Sequence, residues 1–198
     1  KNDPESEFFG ALGYLSKIDL FKNKDNQDYL LTPKILLRYA PGNMRKQNSY
    51  TKLNNKNIFS LDRLNAYDNF ESGLSATVGF DYEIKDNKEK EINFSIGQII
   101  NNEENKDMPE SSSLDEKLSD LVGNANVKLN DNFNFDYNFA LDQNYKDINY
   151  NEIGFNFDAN PIKFDIDYLQ EKKHIGNQEY FKTNLEYSKG DNGILGFE

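Results

Sequence analysis

Hydrophobic and polar residues alternate along most of this chain. Leu74, Ala76, Val78, Phe80, Tyr82 and Ile84 form one face of a predicted strand; Ser75, Thr77, Gly79, Asp81 and Glu83 form the other. The same period of two recurs at Ile92–Ile100, Leu121–Leu129, Phe133–Leu141, Ile153–Ala159, Ile162–Tyr168 and Phe181–Tyr187, and begins again at Leu195 and Phe197. Strict alternation is the mark of a strand with two different environments on its faces. Leu31–Tyr39 continues the pattern upstream, with Pro33 predicting a bulge or local break because proline cannot donate to a ladder. Phe8–Leu20 is apolar on both faces and reads as a further strand.

From Leu74 onward no charge falls on the apolar face of these segments. Asp81, Glu83, Glu91, Lys128, Asp136, Asp158, Lys163, Asp165, Asp167, Lys182 and Glu186 all lie opposite. A slip of one residue would exchange the faces, so register is strongly specified.

The connections add a second rhythm. Asn130-Asp131-Asn132 and Asn160-Pro161 predict tight turns, and 85–90 and 189–193 short ones. Between them fall longer links at 41–71, 101–120, 143–147 and 171–178, the second polar and serine-containing and read as a mobile loop. Short turns on one rim and long loops on the other are the habit of an up-and-down transmembrane barrel. Tyr39, Tyr82, Tyr168 and Tyr187 sit near strand ends on the apolar face, where interfacial girdles belong. The predicted fold is therefore all-β, about nine or ten antiparallel strands of a transmembrane β-barrel segment, forming an open curved sheet. Alternation alone fits a soluble β-sandwich binding module equally well, and a complete small porin or channel barrel is a third reading. The start at Lys1 and the stop at Glu198, in mid-pattern, suggest a segment of a larger barrel domain spanning 1–198.

Composition changes this picture little. A mean hydropathy of -0.86 looks too polar for a membrane protein, and apolar runs of about three residues, as at Ile35-Leu36-Leu37, exclude a transmembrane helix, which needs about 20; alternating strands escape such an average. A net charge of -11 argues against nucleic acid, which calls for a basic face. There is no cysteine, and the single His174 sits in a polar link, so no catalytic triad, thiolate site or histidine metal site has a signature. No cofactor is expected, no phosphate-binding glycine loop occurs, and enzymatic chemistry is not predicted.

Three blocks carry a resemblance. Leu31-Thr32-Pro33-Lys34 leads to Arg38-Tyr39-Ala40-Pro41-Gly42; Phe59-Ser60-Leu61-Asp62-Arg63-Leu64 precedes Asp68-Asn69-Phe70-Glu71-Ser72-Gly73-Leu74; Asn93-Phe94-Ser95-Ile96-Gly97-Gln98-Ile99-Ile100 follows. In order and spacing they resemble the LptD family of lipopolysaccharide-assembly outer-membrane proteins. The resemblance implies a very large barrel in the outer membrane of a Gram-negative bacterium. That barrel would receive lipopolysaccharide from the periplasmic bridge protein LptA, hold the plug lipoprotein LptE in its lumen and deliver its cargo to outer-membrane lipid. The family's periplasmic domain, gate strands and cysteines lie outside this stretch, so the segment would be barrel wall and loops.

Candidate contacts for lipopolysaccharide or a partner follow from charge. The link 41–71 is locally basic, and Arg45, Lys46 and Arg63 could meet lipid A phosphates, Arg in bidentate fashion. The plain alternative is a solvated loop in which Asp62 and Arg63 form structural pairs. Lys34 and Arg38 share the polar face of their strand and could contact the plug or a passing headgroup, with water as the simpler partner.

Overall fold

Strands that follow one another over short connections pair with their sequence neighbours, and here they do so as a single antiparallel ladder. A computed structural model describes residues 9–48, 52–64, 66, 68–86, 90–173, 176–188 and 194–197. Its strands are β1 (Leu12–Lys17), β2 (Leu20–Lys24), β3 (Gln27–Ala40), β4 (Gly73–Asp86), β5 (Glu91–Asn101) and β6 (Leu121–Asn130). They continue as β7 (Phe133–Leu141), β8 (Ile148–Ala159), β9 (Ile162–Glu171), β10 (Gln178–Ser188) and β11 (Ile194–Phe197). All belong to one sheet in the order β1-β3-β4-β5-β6-β7-β8-β9-β10-β11, with β2 also paired to β3. Every pairing is antiparallel. The edges, β1/β2 and β11, do not pair with each other, and no second sheet covers the apolar face among the described residues. A two-layer sandwich is thereby corrected to one open layer.

The break expected at Pro33 falls on its neighbour. β3 runs unbroken past Pro33, which pairs with Phe80 of β4. On the other side the edge strand is interrupted between Lys17 and Leu20. The Ile18 amide donates to the Pro33 carbonyl at 3.2 Å, so the missing Pro33 donor points at this gap. Asp19 fills it by accepting from the Thr32 hydroxyl at 2.9 Å. The segment read as one strand from Phe8 is thus two short strands; Phe8 lies outside the described residues.

The apolar face is open to its surroundings. Leu37, Tyr39, Leu74, Phe181, Leu185 and Tyr187 are all exposed, Phe181 at 63%. Along this face the rings pack on one another, Phe133 on Phe155 and Phe155 on Phe164. Several polar residues depart from the pattern, Asn151, Gln170 and Thr183 among them. The register places Glu179 opposite Gln170 on the apolar side, at the strand end, where the Tyr168 hydroxyl donates to it at 2.7 Å. Gln98, paired with Val78, is buried.

The buried core lies on the opposite, polar face. Met44, Leu53, Ile58 and Leu64 of the long link, with Met108 and Leu114 of the next, pack against Ile99, Val122 and Ala140. The link 41–72 is therefore no solvated loop; it folds inward over the upper part of the sheet. Gly97 makes room for it, since a Cβ there would stand 3.1 Å from Ile58 and 3.3 Å from Phe59. The 102–120 link is corrected too: the reading as a mobile loop gives way to a packed one. The Gln47 amide of the first link donates to its Asp107 carbonyl at 2.7 Å, and the Ser112 and Ser113 hydroxyls bond the backbone around a 3-10 turn at Glu110–Ser112. Those serines look solvent-loving in sequence, yet here they satisfy buried backbone groups.

Candidate lumenal site

The polar face divides into a covered upper part and an uncovered strip. Beneath the link, Arg63 donates from Nε and Nη2 to the two carboxylate oxygens of Glu71 at 2.7 and 2.5 Å, and from Nη2 to Ser75 Oγ at 3.1 Å. Both side chains are inside the protein, 0% and 4% exposed. Arg38 reaches up from β3 to the carbonyls of Leu61 (2.7 Å) and Glu71 (2.5 Å), with its guanidinium 5.2 Å from the Phe70 ring centre. Asn69 closes the base of the link by bonding the amide and carbonyl of Arg45 and the side chain of Gln47. Strand alternation put Arg38 and Ser75 on the face that the link covers, and the return of the chain at 71–73 supplies the carboxylate.

The five sequence-selected cations therefore separate. Arg38 and Arg63 are buried and bonded to protein, so neither presents a guanidinium to a ligand. The partner of Arg63 is Glu71 in place of Asp62, and that of Arg38 is backbone in place of water. Lys34 is half-covered, paired with Asp81 at 2.8 Å and 4.4 Å from the Phe59 ring centre. Arg45 and Lys46 remain exposed at the long-loop rim, Arg45 lying 3.7 Å from Asp68. His174 lies outside the described residues.

Sequence reasoning missed three anchors. Lys52 extends over the Tyr150 ring of β8, 2.8 Å from its centre, and burial holds its ammonium below the ordinary lysine range, opposed by Glu171 and Glu152. Asp120 accepts from Asn149 at 2.9 Å beside Lys173, its carboxyl raised chiefly by burial. Gln98 binds the Ser119 carbonyl at 2.9 Å and accepts from Tyr145 at 2.8 Å, tying two rim links together. Only Gln98 had a signal, as a polar residue interrupting an apolar face.

Below the link, the polar face of β6–β10 is uncovered and rich in amides. Asn126 donates to Asp136 and Asn134, Asn124 to Asn138, and Asn156 to Asp165. Among the described residues no group of three or more histidine, cysteine or acidic side chains could hold a metal ion.

One open antiparallel layer, apolar and uncovered on one side and polar on the other, with tight turns on one rim and inward-folding loops on the opposite rim, is the arrangement of a transmembrane β-barrel wall. Its polar face is then the lumenal one. The model of the LptD family, described as LPS transport system D, matches residues 17–193, most of the chain. The chain belongs to the LptD family. Comparison with curated proteins gave no match.

Proposed function

We propose that this chain forms wall and outer-rim loops of a lipopolysaccharide translocon. Family membership supports transport and assembly of lipopolysaccharide in general. The observation that carries the finer reading is the exposed apolar face opposite a polar face capped at one rim by the 41–72 link. A lipid-wetted wall needs that division, and a passage for a molecule with a sugar chain needs that polar interior. On this reading the wall acts by guiding and orienting cargo that arrives from the periplasmic bridge LptA, with LptE as a lumenal plug and energy supplied from elsewhere. The exposed Arg45 and Lys46 stand at the rim where lipid A phosphates would emerge, and their charge suits phosphate contact.

The test is charge reversal in the full protein within its Gram-negative host. R45E combined with K46E is expected to lower surface delivery of newly made lipopolysaccharide several-fold, with the amount of folded barrel unchanged. Normal delivery with both reversed would remove these residues from the path. Absence of the folded protein from outer-membrane fractions would remove the localisation.

A further inference from the structure

The covered part of the lumenal face ends at β6–β8, and immediately below it a groove opens. Two adjoining cavities of about 280 and 450 Å³ share Asp136, Gly154, Asp167 and Lys182 as walls. These four residues are partners in one row across β7, β8, β9 and β10. Gly154 is the floor: an added Cβ would meet only Asp136 Cβ at 3.7 Å and Asp167 at 3.9 Å, so the backbone is bare between two carboxylates. On the long-loop side the next row brings Asn138, Glu152, Leu169 and Tyr180, the last 54% exposed. On the tight-turn side stand Asn134, Asn156, Asp165 and Asn184.

The geometry points to a binding groove for a neutral oligosaccharide, centred on Gly154. Carboxylates accept from hydroxyls, side-chain amides both donate and accept, and a flat ring lies along one end; together these fit a polyhydroxylated chain. Asp136, Asp165, Asp167 and Glu152 outnumber Lys182, so a phosphate would be repelled. Selectivity is therefore for the uncharged sugar portion of a glycolipid, and the reading rests on the lumenal assignment proposed above. Several of these groups already bond to each other, Asn126 and Asn134 both donating to Asp136 at 2.7 Å. A sugar thus replaces water without freeing stranded polar groups. Contact of this kind is weak and reversible, as passage along a wall requires.

A photo-crosslinking amino acid at position 180 of the full protein, in its own host, tests this. One strain makes lipopolysaccharide with its long distal saccharide, the other makes only the lipid and innermost sugars. Position 185, on the apolar face, serves as reference. The expected result is an adduct from 180 only where the distal saccharide is present. G154L, which fills the floor, and D167R, which crosses the groove from an exposed position, should each cut that adduct at least fivefold, while G154A stays within twofold. Heat-modifiable mobility on gels shows whether each variant holds a folded barrel. Adducts of 180 with a polypeptide in both strains, no saccharide adduct, or a yield unchanged by both filling variants would overturn the groove. Failure of 185 to capture lipid in either strain would instead overturn the membrane reading itself.

Discussion

Removing the Glu71 carboxylate probes the inward fold of the 41–72 link more sharply than any other change. In E71A, Arg63 loses both of its bonds to that carboxylate, at 2.7 and 2.5 Å, and keeps only Ser75 at 3.1 Å. Arg38 keeps the backbone carbonyls of Leu61 and residue 71. Two guanidinium groups, each 1% exposed, then share a site whose buried countercharge is gone. Breaking a buried pair from one side costs about 3–5 kcal/mol, since the remaining charge stays desolvated. At about 1.4 kcal/mol per decade, link opening should become roughly two to three and a half decades more frequent. Trypsin has Lys46, Lys52 and Lys56 to cut in this link. With opening and closing fast relative to cleavage, the native-state rate follows the open population. E71A should raise that rate about 10²-fold or more. The R63M E71L double variant, which removes both charges and fills the space with apolar atoms, should return to near the parent rate. An E71A rate within threefold of the parent, or a double variant as labile as the single, would refute the buried pair as the clasp of the link.

Three further outcomes follow from other parts of the sheet. G97V should dislodge the same link from beneath, because Ile58 and Phe59 stand 3.1 and 3.3 Å from the added Cβ; overpacking of this kind costs about 1–3 kcal/mol and should show as faster cleavage at Lys56. Burial pushes the Asp115 carboxyl up to about 6, its own backbone N–H and Lys173 opposing and Glu116 and Glu110 adding. A raised carboxyl gives stability that is complete below the ordinary carboxylate value and lost as pH rises through about 6. Amide exchange in 102–120, corrected for its intrinsic rate, should accordingly be better protected at pH 5 than at pH 7.5, with the difference reduced in D115N and the remainder supplied by Asp120, whose carboxyl burial also raises. F155K should lower barrel stability in lipid by about 2–4 kcal/mol, whereas N156K, one residue on and facing the lumen, should change it little; denaturant titration in bilayers reads both, and equal losses would contradict the register.

Much of this fold was legible in sequence because a strand with two environments writes its register into its residues. Phe133–Leu141 begins and ends where the alternation does, and the turn at Asn160-Pro161 separates β8 from β9 as read. The 41–72 link was not legible in the same way. Met44, Leu53, Ile58 and Leu64 follow neither a helical nor a strand period, so nothing in their spacing marks them as a core. Pro33 was read correctly as a missing donor, but one-dimensional reasoning could not tell which neighbour would lose the bond. Arg63 looked available because its partner, Glu71, is eight residues away along an irregular path. The groove over Gly154 was hidden for a related reason, since it exists only where four strands align in register.

The account depends most on what touches Phe135, Phe155 and Phe164. Spin labels placed singly at 135, 136, 154 and 155 of the full protein in bilayers can be relaxed by oxygen, which partitions into lipid, or by a water-soluble nickel chelate. The fold predicts strong oxygen relaxation at 135 and 155 and weak at 136 and 154, with the nickel response reversed. Labels at 135 and 155 shielded from both reagents would show that protein covers the apolar face, and would contradict the barrel wall.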